Sequence, residues 1–121
     1  MKDVDSTLQD LKDRVENFTA ERDWTQFHDL KNLSMAIATE AAEIMEHFRW
    51  IPNVEANHLM SIPDSADAIS QEVADVLLLL TEFANVANID LMDAAERKLA
   101  INESRYPVDK SKGNATKYNK L

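Results

Sequence analysis

The sequence predicts an all-α protein built as an antiparallel four-helix bundle. Three observations carry that expectation. One Gly and three Pro in 121 residues leave few turn formers, which favours long helices over many short strands. Apolar residues recur at helical spacing along four stretches joined by short links. Two pairs of acids, each three residues apart, stand inside otherwise apolar helical runs: Glu40 with Glu43, and Glu72 with Asp75.

The first helix follows from Val4, Leu8, Leu11, Val15 and Phe18, which share one face, with Asp5 or Ser6 placed to cap its start. Asp23-Trp24-Thr25-Gln26-Phe27-His28 breaks the pattern and reads as a connector. A second helix is expected from Asp29 to Trp50, turning Leu30, Leu33, Ile37, Ile44 and Phe48 to the core, and Pro52 ends it. Residues 51–64 hold two Pro and no sustained period, the pattern of a loop. Asp64 or Ser65 then caps a third helix running to Ala87. Its middle is apolar nearly all round, the mark of a helix surrounded by partners. After the turn Asn88-Ile89-Asp90, Asp90 and Asp93 cap a fourth helix that runs to Arg105, and Pro107 stops it. Residues 1–107 make one domain. The tail, 108–121, carries Lys110, Lys112, Lys117, Lys120 and the only Gly, and is expected to be loosely ordered.

Composition narrows the function. A net charge of −9 argues against a binder of nucleic-acid polymers, which would show a basic face. It leaves room for a small polyanionic substrate if a metal supplies positive charge locally. The absence of Cys removes disulfides and thiolate chemistry. No signal pattern opens the chain and no apolar run approaches membrane-spanning length, so no membrane partner and a cytoplasmic location are expected.

The acids are the informative residues. Positions i and i+3 share a helix face, so each pair presents two carboxylates side by side. Between Glu43 and Glu72 lie 28 residues, enough to finish one helix and bring the next back antiparallel. The two pairs can then face each other, and carboxylates are buried only when paired or bound to metal. Hard oxygen ligands point to Mg²⁺. A di-iron or di-manganese bundle would need Glu-x-x-His, whereas His47 follows Glu43 at i+4. A further acid, Glu46 or Glu82, is placed to orient a water.

Two more groups stand out. Lys98, Asn102 and Arg105 fall on one stripe of the fourth helix, suited either to a triphosphate or to a solvated helix end. Trp24, Phe27, His28 and Trp50 flank the second helix, as base platforms or as packing. Tyr106 follows the stripe.

Taken together, these residues resemble a known family. Glu-x-x-Glu, a spacer of 28 and Glu-x-x-Asp look like the metal signature of the MazG-like all-α nucleoside triphosphate pyrophosphatases. Arg22 to His28, Lys31-Asn32-Leu33, Phe48-Arg49-Trp50, Lys98 to Asn102 and Arg105-Tyr106-Pro107 resemble its dCTP pyrophosphatase subgroup, over roughly residues 8–107. The resemblance implies that Glu40, Glu43, Glu72 and Asp75 are catalytic Mg²⁺ ligands. It implies that Lys98, Asn102 and Arg105 bind phosphates and that Trp24 and Trp50 stack a base, with His28 and Tyr106 also at the substrate. It also implies a homo-oligomer, a dimer or more specifically a tetramer, cleaving dCTP or a modified dCTP to monophosphate and pyrophosphate in nucleotide-pool cleansing. Val15 stands where dCTP-type relatives commonly carry a His. The competing readings are a dUTP-preferring or broad hydrolase of the same superfamily, and a non-catalytic acidic helical interaction module.

Overall fold

The computed structural model describes all 121 residues, and each of its regular elements is helical. It divides into two compact units, Met1–Asn88 and Ile89–Leu121. The first holds α1 (Leu8–Glu21), α2 (Leu30–Glu46), the single turn α3 (Asn53–Ala56) and α4 (Pro63–Ala87).

Helix α1 starts on a capping box, not on Asp5 or Ser6. Thr7 Oγ1 accepts from Asp10 N at 3.1 Å, and Asp10 Oδ2 accepts from Thr7 N at 2.8 Å, so two orphan amides are satisfied reciprocally. Asp5 instead accepts from Lys2 N and Ser6 Oγ, which holds its carboxyl below the usual range.

The other end of α1 is a Schellman motif. Asp23 takes a left-handed φ of 53°. Its N–H donates to the Ala20 carbonyl at 3.1 Å, and the N–H of Trp24 reaches the Thr19 carbonyl at 3.0 Å. This motif brings the residue after the left-handed position back onto the last turn of the helix. That residue is Trp24, packed edge-on against Phe18 with ring centroids 5.7 Å apart.

Asp29, read from the sequence as the start of α2, is its N-cap, accepting from Asn32 N at 2.8 Å. The helix stops at Glu46, short of Trp50: the chain tightens to bonds such as Phe48 N to Met45 O, 2.9 Å, well before Pro52. The expected loop of 51–64 is partly helical, with α3 followed by a 3₁₀ segment at Asn57–Ser61. Helix α4 has no side-chain cap from Asp64 or Ser65. Pro63 occupies its first turn, where a missing N–H costs nothing, and Ile62 precedes it. Asn88 closes α4 at a φ of 56°.

Bonds between helices give the directions. Asn85 Nδ2 donates to the Lys12 carbonyl and Thr19 Oγ1 donates to Glu82, so α1 runs antiparallel to α4. His28 lies beside Glu82 and His47 beside Glu72, so α2 also runs antiparallel to α4. The core of this unit is thin: Val15, Leu33, Ile69 and Ala84 are buried, with Thr19 and Thr81 among them. Thr81 satisfies its hydroxyl on the Leu77 carbonyl at 2.7 Å.

The second unit contains α5 (Leu91–Arg105), the turn α6 (Val108–Ser111) and a 3₁₀ segment at Tyr118–Lys120. Asp90 caps α5 as read from the sequence, accepting from Asp93 N at 3.0 Å. In the tail, Tyr118 meets Tyr106 edge-on at 5.9 Å and lies under the Arg105 guanidinium at 4.6 Å. No helix is long and apolar enough to cross a membrane.

Candidate active site

Antiparallel packing of α2 on α4 brings Glu40, Glu72 and Asp75 together. One oxygen from each lies within 4.8 Å of the others. Glu40 and Glu72 are half-buried and Asp75 is exposed. Desolvation pushes the Glu40 carboxyl above its ordinary value. The charges of Asp75 and Glu72, a hydrogen bond shared with Glu72, and the charge of Glu43 push the same way. Glu43 is exposed and lies outside the group of three, although its charge is felt by Glu40.

These oxygens fit a divalent cation. Mg–O distances of about 2.1 Å place opposite oxygens of an octahedron about 4 Å apart, a small contraction of the observed group. Three carboxylates leave the remaining positions for waters and phosphate oxygens, the usual way Mg²⁺ is held. His47 Nε2 stands 4.0 Å from Glu72 Oε1, at the edge of the group.

Beside the acids opens a cavity of about 610 Å³. Glu40 and Asp75 line it, so the carboxylate group and the cavity are one site. Its apolar walls include Leu11, Val15, Phe18 and Trp24 from α1 and its cap, and Leu78 and Leu79 from α4. Arg14, His28 and Glu82 supply further polar groups. Trp24 and His28, two of the aromatics singled out in the sequence, are both among the cavity's lining.

Trp50 does not line this cavity. It is 78% exposed beyond the end of α2, with the Arg49 guanidinium 4.4 Å from its ring centroid. Phe27 is also exposed and outside the lining. Glu46 is engaged by Arg49 at 2.6 Å, and Glu82 lies seven residues past Asp75, so neither joins the three clustered acids. In the second unit, Lys98, Asn102 and Arg105 share α5, and Arg105 and Tyr106 both meet Tyr118.

Sequence reasoning missed Phe18 and Arg14 as cavity residues and Tyr118 as the partner of Arg105 and Tyr106. The first two carry a signal: Arg14 and Phe18 lie one turn apart on α1, next to Val15. The third carries none, because the tail has no period to read.

A MazG-like family model matches residues 35–121. The chain belongs to the MazG-like family. The matched segment of this MazG-like chain takes in all four signature acids and the α5 stripe, while Trp24 and His28 precede it. Curated relatives agree. The dCTP pyrophosphatase 1 of Bos taurus is 38% identical over 115 residues, covering 95% of this chain and 68% of the relative. The Homo sapiens dCTP pyrophosphatase 1 is 36% identical over the same shares. The crystal structure of a pyrophosphatase from Archaeoglobus fulgidus superposes with a TM-score of 0.75 at 32% identity, covering 83% of this chain and 92% of that one.

Proposed function

We propose that this chain, a nucleoside triphosphate diphosphatase of the MazG-like family, hydrolyses dCTP or a base-modified dCTP to the monophosphate and pyrophosphate, with Mg²⁺, as a cleanser of the nucleotide pool. The observation that carries this is the continuity of the acid group with an aromatic-walled cavity: Glu40 and Asp75 belong to both. A triphosphate wants metal-neutralised oxygens at one end and a flat apolar enclosure at the other.

Glu40, Glu43, Glu72 and Asp75 would hold the metal, the first, third and fourth through the clustered oxygens and Glu43 from the adjoining turn. Bound there, Mg²⁺ supplies neutralisation of phosphoryl oxygens and a lowered pKa for a bound water. The protein's own contributions are placement and exclusion of solvent. The α2–α4 pair fixes the carboxylates, and Trp24 stacks the base against the α1 wall with His28 beside it. By the family resemblance, Lys98, Asn102 and Arg105 would bind phosphates and Tyr106 would meet the substrate. Water adds to phosphorus, the α–β phosphoanhydride bond breaks, and one proton is released.

The assembly belongs to the same proposal. The four-helix bundle expected from the sequence and its pairing into a homotetramer are what the family resemblance implies. Support comes from α4, where Val73 is 50% and Leu77 44% exposed, alongside half-exposed Leu78, Leu80 and Val86. A run of apolar side chains left open on the most hydrophobic helix marks an interaction surface. A monomer at micromolar concentration in sedimentation would refute this part.

The catalytic test is pyrophosphate release from a panel of ribo- and deoxynucleoside triphosphates, with Mg²⁺ and with EDTA. Mg²⁺-dependent release led by dCTP is expected. A lead for dUTP would move the chain to the dUTP-preferring branch, and no release at all would favour a non-catalytic acidic interaction module.

A further inference from the structure

We propose that Glu82, fixed by Thr19 and His28, reads the edge of the base and selects pyrimidines bearing a 4-amino group over those bearing a 4-oxo group. The inference rests on the nucleotide reading above and assigns a discriminating residue within it.

Helix α4 sets the geometry. Asp75 and Glu82 are seven residues apart on one helical stripe, and both line the cavity. Two turns put them roughly 10 Å apart along the axis. Leu78 and Leu79 line the cavity in the interval between them. A nucleotide with its phosphates at the Asp75 end lays its sugar along those leucines and brings the far edge of a pyrimidine to Glu82.

The carboxylate there is held in place. Thr19, itself buried, donates its hydroxyl hydrogen to Glu82 Oε1, and His28 Nδ1 stands 3.3 Å from the same oxygen. The Glu82 side chain is only 14% exposed. Its orientation is therefore set by α1 and by the connector before α2. An ionised carboxylate accepts hydrogen bonds and donates none. Cytosine meets it with the N4 amino group, a donor. Uracil and thymine meet it with O4, another acceptor, so both groups stay unpaired in a confined site.

The opposite wall offers no alternative reader at position 15. Val15 is buried and apolar, at the place where the family resemblance leads one to expect a His. Among the polar lining residues, Glu82 on α4 is the one fixed by both Thr19 and His28.

The experiment uses the full chain. Calorimetry with Mg²⁺ compares dCMP, dUMP and a dCMP analogue lacking the 4-amino group, and steady-state kinetics separate KM from kcat for dCTP and dUTP. The wild type is expected to favour dCMP over both other ligands by about 10-fold or more, the range of a hydrogen bond to a charged group. Glu82→Gln should erase most of that preference, chiefly in Kd and KM, because its amide also donates to O4. Thr19→Val, which frees the carboxylate, should lose a smaller part in the same direction. A wild type that binds the three ligands alike, or a folded variant with the wild-type dC:dU ratio, overturns the proposal. The catalytic reading fails separately: amino-selective binding lost in Glu82→Gln, with no triphosphate hydrolysed, keeps the edge reader and rejects the enzyme.

Discussion

Replacing Asp75 by Asn should make the metal-free protein more stable and, at the same time, blind to Mg²⁺. Asp75 shares a group of oxygens, all within 4.8 Å of one another, with Glu72 and Glu40. Two full charges at that separation repel by about 3.5 kcal/mol at an effective dielectric constant of 20, and by about 0.9 kcal/mol in bulk water. Asp75 is exposed, so screening places the relief near the lower figure, about 1 kcal/mol. For a chain of this size that is a rise in Tm of about 4 °C in EDTA. The wild type, by contrast, should be stabilised by Mg²⁺ according to its occupancy, about 1.4 kcal/mol at ten times Kd. Scanning calorimetry of both proteins, in EDTA and across a Mg²⁺ series, reads the two effects together. The expected result is a crossing: the variant melts higher without metal and lower with it, and its turnover is lost. A variant that melts below wild type in EDTA, or that keeps the full Mg²⁺ shift, refutes the placement of Asp75 in a shared metal group.

Other outcomes follow from the same structure. Because the Glu40 carboxyl is held above 4.5 in the folded state, the folded chain binds its proton more tightly than the unfolded one. This group's contribution is therefore full below 4.5 and lost as pH rises through the raised value. Melting in EDTA should show that decline, and Glu40→Gln should flatten it; an unchanged profile would count against crowding at Glu40. Leu33, 2% exposed, should cost about 3 kcal/mol when cut to Ala, seen as a lower urea midpoint at constant slope. Asp23→Val forces a β-branched residue into the left-handed position and should cost at least about 1 kcal/mol. It should also alter the Trp24 fluorescence, since that backbone turn sets the ring on Phe18.

Much of the fold was legible because it rests on local rules. Asp29 and Asp90 are caps whose side chains find amides three residues on, a purely local event; Asp90 was read as a cap and Asp29 as the first residue of its helix. The misplaced caps have separate causes. Thr7 competed with Asp5 and Ser6, and only Thr7 has a reciprocal partner at the right offset, Asp10. At α4 the helix starts on Pro63, whose fixed φ suits a first turn without any side-chain cap. The acids at 40, 72 and 75 were legible because helical spacing and apolar flanks over-determine their face. The cavity was not, because its Trp24 wall depends on a left-handed Asp, a residue that carries no strong signal for that conformation. Nor was the Thr19–Glu82 bond, which joins residues 63 apart in the chain.

Helix α4 also works as a ruler. Asp75 and Glu82 line one cavity because an unbroken helix separates them by two turns. Substitutions between them that preserve the helix leave that interval unaltered. Gaining or losing one residue cannot be absorbed so easily, since each turns the remainder of the helix by about 100°. Glu82 would swing away from Thr19 and His28, and Ala84 would leave the core. Length is therefore the fixed quantity of this segment, and if Asp75 and Glu82 act as proposed, the distance between the metal group and the base edge is set by backbone count.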